Sequence, residues 1–162
     1  MKLQEYALIA EIISGVAIVV TLIFLIIEVD ANTSATLAAN RQSLATRTEA
    51  LLLAQSTSPG IAQLMVKARH DEEFTEEEQY QFSGHVAGYL RLAEEAYLLF
   101  LDGHLDGEYW RTRAENLVDS RLSNHLAREL WFEWEQQGWF TPEFTGWLNG
   151  ALEKKYGPQT LP

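Results

Sequence analysis

The chain has no cysteine, and it has only twelve Lys or Arg residues against twenty-three Asp or Glu. Without a thiol there is no disulfide, no Cys-ligated zinc or iron–sulfur site and no thiol nucleophile. The compartment stays open, because a chain without cysteine is allowed on either side of a membrane. The shortage of basic residues gives a net charge of −11, divided as −3 over residues 1–40 and −8 over the remainder. A surface of that sign repels phosphates, which argues against nucleic acid as a partner and against peripheral binding to anionic lipid headgroups. Also missing are a Gly-rich phosphate loop, a Ser, His and Asp grouping and any convincing pair of strands. No catalytic residue, cofactor or resident metal is expected, and the chain reads as a non-enzyme.

What is present is first a long apolar run. From Ile12 to Ile27 sixteen residues carry no charge, and at 1.5 Å per residue they span about 24 Å, short of a hydrocarbon core of about 30 Å. Including Ala7 to Glu11 lengthens the segment to about 31 Å and places Glu11 inside the apolar slab. A cleaved signal peptide fits poorly, since Lys2 is the only basic side chain before the run and Glu5 and Glu11 intrude. The expectation is an uncleaved transmembrane helix, from about Tyr6 to Val29, in contact with the lipid bilayer. Lys2 and the α-amine precede it and Arg41 and Arg47 follow it; a cytoplasmic soluble domain with the short N-terminus outside is expected, partly on the resemblance given below.

Polar residues in that segment are not scattered. Gln4, Ala7, Glu11, Ser14, Ile18, Thr21, Leu25, Glu28, Asn32 and Ala35 alternate steps of three and four, which is one stripe of a gently supercoiled helix. Val16, Val19, Ile23, Phe24 and Ile26 cover the remaining surface. In lipid no hydrophobic force pairs helices, so small residues and side-chain hydrogen bonds do, and an ionisable group there ordinarily faces a partner or water. Glu11, Ser14, Ile18, Thr21, Leu25 and Glu28 are therefore the candidate association face. The competing reading has Glu11 protonated or snorkelling and the hydroxyls bonded back to their own helix. In a ring of copies Glu11 and Glu28 would form two acidic rings favouring cations, although Ile18 and Leu25 would constrict the bore.

Beyond the apolar run, Leu37, Leu44 and Leu51 recur at seven and predict a helical stalk over 32–55, with a loop over 56–60 and a short helix over 61–69. Thr75 with Glu78 has capping-box form and opens a helix that ends near Asp102 and Gly103. Its inner face holds Phe82, Val86, Tyr89, Leu90, Ala93, Tyr97 and Phe100. Asp106 caps a helix to about Ser120, Ser123 another to about Gln137, and Thr141-Pro142 a last one to about Lys154. The fold class is all-α: one N-terminal transmembrane helix (1–31), a stalk (32–55), a soluble bundle (56–154) giving four to six helices, and a tail (155–162).

Three features of the bundle are candidates for chemistry. The segment from Asp102 to Gly107 begins like a calcium loop, but its twelfth position is Arg113 where a bidentate Glu is needed, so it reads as a helix corner. His125, Glu129 and Glu133 share a helix face but supply too few ligands for a metal. The aromatic cluster Trp131, Phe132, Trp134, Trp139, Phe140, Phe144 and Trp147 is interleaved with Glu129, Glu133, Glu135 and Glu143, which disfavours a membrane interface. Core packing or a protein interface is expected, with Trp131, Trp134, Trp139, Phe140 and Trp147 as interface candidates.

The opening LQEYALIAEIISGVAIVVTLIFLIIEV, ANT at 31–33, FTEEEQYQF at 74–82, LDGEYW at 105–110 and WFTPEF at 139–144 together resemble a family of small bacterial membrane proteins with an N-terminal transmembrane helix and a helical soluble domain. The resemblance runs from residue 3 to about 153. It implies the architecture and a bacterial inner-membrane location, and no activity. Many such sequences are basic just after the membrane helix, where this one has Glu28 and Asp30. The function expected is that of a membrane-anchored assembly or accessory module, whose partner is itself as a homo-oligomer or a larger membrane protein complex. A homo-oligomeric cation pore is the alternative.

Overall fold

A computed structural model describes residues 2–158. Among the described residues there are six α-helices, a π-helical turn and no strand: α1 (Lys2–Thr57), α2 (Pro59–Arg69), α3 (Glu76–Leu101), α4 (Gly107–Asn116), the π turn (Leu117–Arg121), α5 (His125–Gln136) and α6 (Pro142–Tyr156). The fold is all-α, as the helical periodicities require. Two compact units divide the chain, Met1–Ala39 and Asn40–Pro162. The expected stalk over 32–55 straddles that boundary, and the last four residues of the expected tail, 159–162, lie outside the described residues.

The first unit is the N-terminal part of α1. Every side chain from Tyr6 to Thr36 is exposed, so none of the described residues buries its apolar surface. This helix is long and apolar enough to cross a membrane. The polar side chains that lie along it include Thr21, Thr33 and Thr36, whose hydroxyls donate to the carbonyls of Ala17, Val29 and Asn32, one turn back.

The second unit contains the core. Leu44, near the start of its share of α1, is fully buried, with Leu64 of α2, Phe82 and Leu90 of α3, Leu122, Trp131 of α5 and Phe144, Leu148 and Leu152 of α6. Side chains of this size each contribute about 1.5–3 kcal/mol on burial. The α1 helix stops at Thr57 because Pro59 opens α2, where a missing N–H costs nothing. Leu51 of α1 packs on Gly88 of α3, where an added Cβ would lie 3.4 Å from its Cδ2, so the glycine does serve a close helix approach. Gly84, its neighbour one turn earlier, meets nothing within 4 Å.

Most helix starts fall where the sequence placed them. Thr75 and Glu78 form a complete capping box, with Thr75 Oγ1 accepting from Glu78 N at 3.2 Å and Glu78 accepting from Thr75 N at 2.9 Å. Asp106 caps α4 by accepting from Tyr109 N at 2.9 Å. Four details differ. The loop expected over 56–60 is reduced to Ser58, because α1 runs to Thr57 and α2 starts at Pro59 rather than at Ile61. The helix expected to run to about Ser120 leaves α geometry after Asn116, and Leu122 N donates to Leu117 O at 3.0 Å across a wider turn. That turn sends Leu117, Val118 and Leu122 into the core together. The α5 cap is Asn124, not Ser123: Asn124 has the extended backbone a cap needs and accepts from Ala127 N at 2.8 Å, whereas the Ser123 hydroxyl donates to Ser120 O. Thr141 precedes α6 but its hydroxyl caps nothing, and α6 extends to Tyr156.

Candidate functional site

The expected association face lies entirely in the first unit. Glu11, Ser14, Ile18, Thr21, Leu25 and Glu28 sit on an uninterrupted helix and are all exposed. Glu11 and Glu28 are seventeen positions apart, about 26 Å along the axis. The side chains of Glu11, Ser14 and Glu28 have no hydrogen-bond or ion-pair partner among the described residues. Thr21 differs, because its hydroxyl proton goes to Ala17 O at 2.9 Å. The local back-bonding of the competing reading holds for that residue, while Glu11 and Ser14 have no such bond among the described residues.

The second unit holds a feature that no sequence motif announced. A groove of about 730 Å³ is bounded by α1, α3, α4 and the π turn. Arg41, Arg113 and Arg121 reach it from three separate elements. Arg41 pairs with Asp106 at 2.6 Å. The guanidinium of Arg113 donates to Thr48 Oγ1 and to the Tyr109 hydroxyl, both at 2.9 Å, and stacks on the Tyr109 ring at 4.9 Å. The guanidinium of Arg121 donates to Gln55 Oε1 at 3.2 Å and lies over the Tyr89 ring at 4.0 Å. The Tyr89 hydroxyl, Arg121 Nε and His85 Nε2 are buried without a hydrogen-bond partner. Burial pushes the Tyr89 phenol above its ordinary value, with Arg121 acting against it. Burial, and then the charge of Arg121, holds His85 below the ordinary imidazole range. Asp106 is held below the usual carboxylate range chiefly by the Tyr109 amide, with Arg41 assisting.

Comparison with protein-family models, with curated proteins and with solved structures found no match. Function therefore has to be argued from these two sites.

The aromatic cluster divides on inspection. Trp131, Trp134 and Phe140 are buried in the core, Trp147 is half-buried, and Trp139 is exposed, stacked on Trp134 at 5.4 Å. Trp131 Nε1 donates to Asn149 Oδ1 at 2.9 Å, and Asn149 Nδ2 donates to Glu135 at 2.6 Å, so the indole polarity is satisfied inside the fold. Trp139 is the one of the five that offers a large exposed apolar surface to a partner.

Among the described residues no group of three or more His, Asp and Glu side chains is placed to hold a metal ion. His125 and Glu129 form an exposed pair at 3.4 Å on α5. The corner from Asp102 to Gly107 is a helix end with Gly103 at a φ of +73°, followed by the α4 cap. A role for Arg113 and Arg121 in a groove is not legible in the sequence, because Thr48 and Gln55, which orient them, lie 65 and 66 positions away. The only signal available was that the acidic surplus failed to supply either arginine with an i,i+4 carboxylate.

Proposed function

We propose that this protein is a non-enzymatic, membrane-anchored assembly module of a bacterial inner membrane, held by the N-terminal part of α1 and associating through the face that carries Glu11 and Ser14. The observation that supports it is the pairing of a fully exposed apolar helix with an acidic group and a hydroxyl that find no partner among the described residues. Lipid satisfies the apolar surface and leaves Glu11 and Ser14 in need of a neighbouring helix or water. The partner is a second copy or a larger membrane protein. The Asn40–Pro162 unit lies on the cytoplasmic side, in keeping with Arg41 and Arg47 beyond the apolar run. The resemblance to small bacterial membrane proteins points to the same architecture.

The experiment is an oligomer count on detergent-solubilised protein, compared for wild type, Glu11→Leu and Phe24→Leu. Glu11→Leu is expected to disturb assembly or partner recovery, and Phe24→Leu, which alters the apolar surface, to leave both unchanged. A closed ring of about five or more copies that passes cations would move the reading to the pore, because acidic rings select cations. Unchanged assembly in Glu11→Leu removes the association face altogether.

A further inference from the structure

Five basic side chains of the second unit are neutralised by carboxylates: Arg41 by Asp106, Arg47 by Glu95, Lys67 by Glu78, Arg91 by Glu94 and Lys155 by Asp119. Arg69, Arg111, Arg113, Arg121, Arg128 and Lys154 have no carboxylate partner among the described residues, and of these six Arg113 and Arg121 line the groove. These two are held in place by uncharged partners, a threonine and a tyrosine hydroxyl for Arg113 and a glutamine oxygen for Arg121. Each guanidinium has five N–H donors. These contacts use two of Arg113's and one of Arg121's, so both are oriented while most of their donors and all of their charge remain available.

Two further observations fall in the same place. Tyr89 is only 8% exposed and lines the groove, yet its hydroxyl has no partner, and neither has the buried Nε of Arg121 stacked above its ring. Buried polar atoms are nearly always satisfied, by protein or by ordered water. Arg121 is delivered to this spot by the π turn, a backbone irregularity frequent at functional sites. The walls beyond the arginines are apolar, formed by Leu52, Leu92, Ala93 and Leu117. The volume falls in the range of small-molecule pockets, about 300–1,000 Å³. Two carboxylates also border the groove: Asp106, engaged by Arg41 and by the α4 N-terminus, and Glu108.

We infer that this groove binds a small amphiphilic oxyanion, a carboxylate or phosphate head carried on an apolar body, with Arg113 and Arg121 gripping the head and the leucines covering the body. The planar forks of the two arginines match the geometry of either head group. Such a ligand comes from one of two sources, an anionic lipid or a soluble amphiphile, which share this chemistry.

The test uses the full-length protein in nanodiscs of zwitterionic phosphatidylcholine, titrated calorimetrically with hexyl phosphate, hexanoate and inorganic phosphate, with empty discs subtracted. Hexyl phosphate is expected to bind saturably at one per chain and roughly tenfold or more tighter than inorganic phosphate, because only it buries apolar surface. Arg113→Gln and Arg121→Gln should each weaken it by roughly tenfold or more, the loss of a charged hydrogen bond. Arg111→Gln, exposed and outside the groove, should leave it unchanged. Arg113→Lys guards against misfolding: it keeps the charge and loses the fork, and should weaken binding without lowering the unfolding temperature. Repetition in discs containing phosphatidylglycerol assigns the source. Competition there identifies the lipid headgroup, and undiminished binding identifies a soluble amphiphile. Absence of saturable binding, equal affinity for inorganic phosphate, or an Arg111→Gln effect as large as that of Arg121→Gln overturns the inference.

Discussion

The guanidinium carbon of Arg121 lies 4.0 Å from the centroid of the Tyr89 ring, and the two side chains come from the π turn and from the middle of α3. Desolvated stacking of this kind contributes up to about 2 kcal/mol. The Tyr89 hydroxyl, being buried and unpartnered, subtracts from it in the ligand-free protein. Tyr89→Phe keeps the ring face and removes the stranded hydroxyl, so it should leave stability unchanged or raise it. Arg121→Leu should cost about 1–2 kcal/mol. Urea unfolding followed by circular dichroism separates them, and a Tyr89→Phe loss equal to that of Arg121→Leu would mean the hydroxyl has a partner.

His85 sets a pH dependence. Its ring meets the Tyr89 ring edge-on at 5.1 Å, and burial followed by the Arg121 charge holds its pKa below the ordinary value of 6.5. As pH falls, the unfolded chain takes up this proton before the folded one does, so the stability that neutral His85 contributes is full above about pH 6.5 and is lost as pH drops through its lower folded value. Glu78, lowered chiefly by Lys67, and Asp106, lowered chiefly by the Tyr109 amide, act in the same direction but only in the carboxylate range. The unfolding temperature should therefore fall between pH 7.5 and pH 5.5, and His85→Phe should flatten that part of the curve. An equal slope in wild type and His85→Phe rules the histidine out.

Local chemistry was legible in the sequence and long-range chemistry was not. The Thr75 and Glu78 box, the Asp106 cap and the Gly103 stop each depend on residues within four positions, and all appear as read. Ser123 and Asn124 are both good caps by residue type, and only the backbone angles decide between them. The π turn has no sequence signature, since it arises where three core side chains must turn inward together. The inner face of α3 was found by periodicity, but Glu94, buried on the same helix, was not, because its partner is the Thr141 amide 47 positions away. The groove is the extreme case, assembled from residues of α1, α3, α4 and the π turn whose individual contexts look ordinary.

Glu94 ties the loop before α6 to α3. One carboxylate oxygen accepts from Thr141 N at 2.7 Å and the other from Arg91 at 3.0 Å, while Arg91 also lies over the Phe140 ring at 4.6 Å. Removing the acceptor strands the Thr141 amide, whereas Arg91 is half exposed and recovers water. Glu94→Ala should accordingly cost about 1–3 kcal/mol, and Glu94→Gln, which keeps an acceptor for Thr141, about 1 kcal/mol or less. Chemical denaturation measures both. The reverse order would show that charge matters here more than the amide.

The helix-association reading makes its sharpest prediction at Thr21. Its hydroxyl already donates to Ala17 O, so a neighbouring helix gains no donor from it, and Thr21→Val preserves the shape while removing only a local bond. Ser14, two turns earlier on the same stripe, has no such internal bond, and neither has Glu11. An interhelical hydrogen bond in a membrane contributes about 0.6–2 kcal/mol, which corresponds to roughly three- to thirtyfold in association. Ser14→Val should therefore weaken association in nanodiscs or detergent by that factor, and Thr21→Val should change it by less than about threefold. Energy transfer between labelled copies reports a homo-oligomer, and crosslinking yield reports a foreign partner. If Ser14→Val is as silent as Thr21→Val by both measures, neither hydroxyl on this face bonds across to a neighbouring helix, and Glu11 alone is left to hold the stripe together.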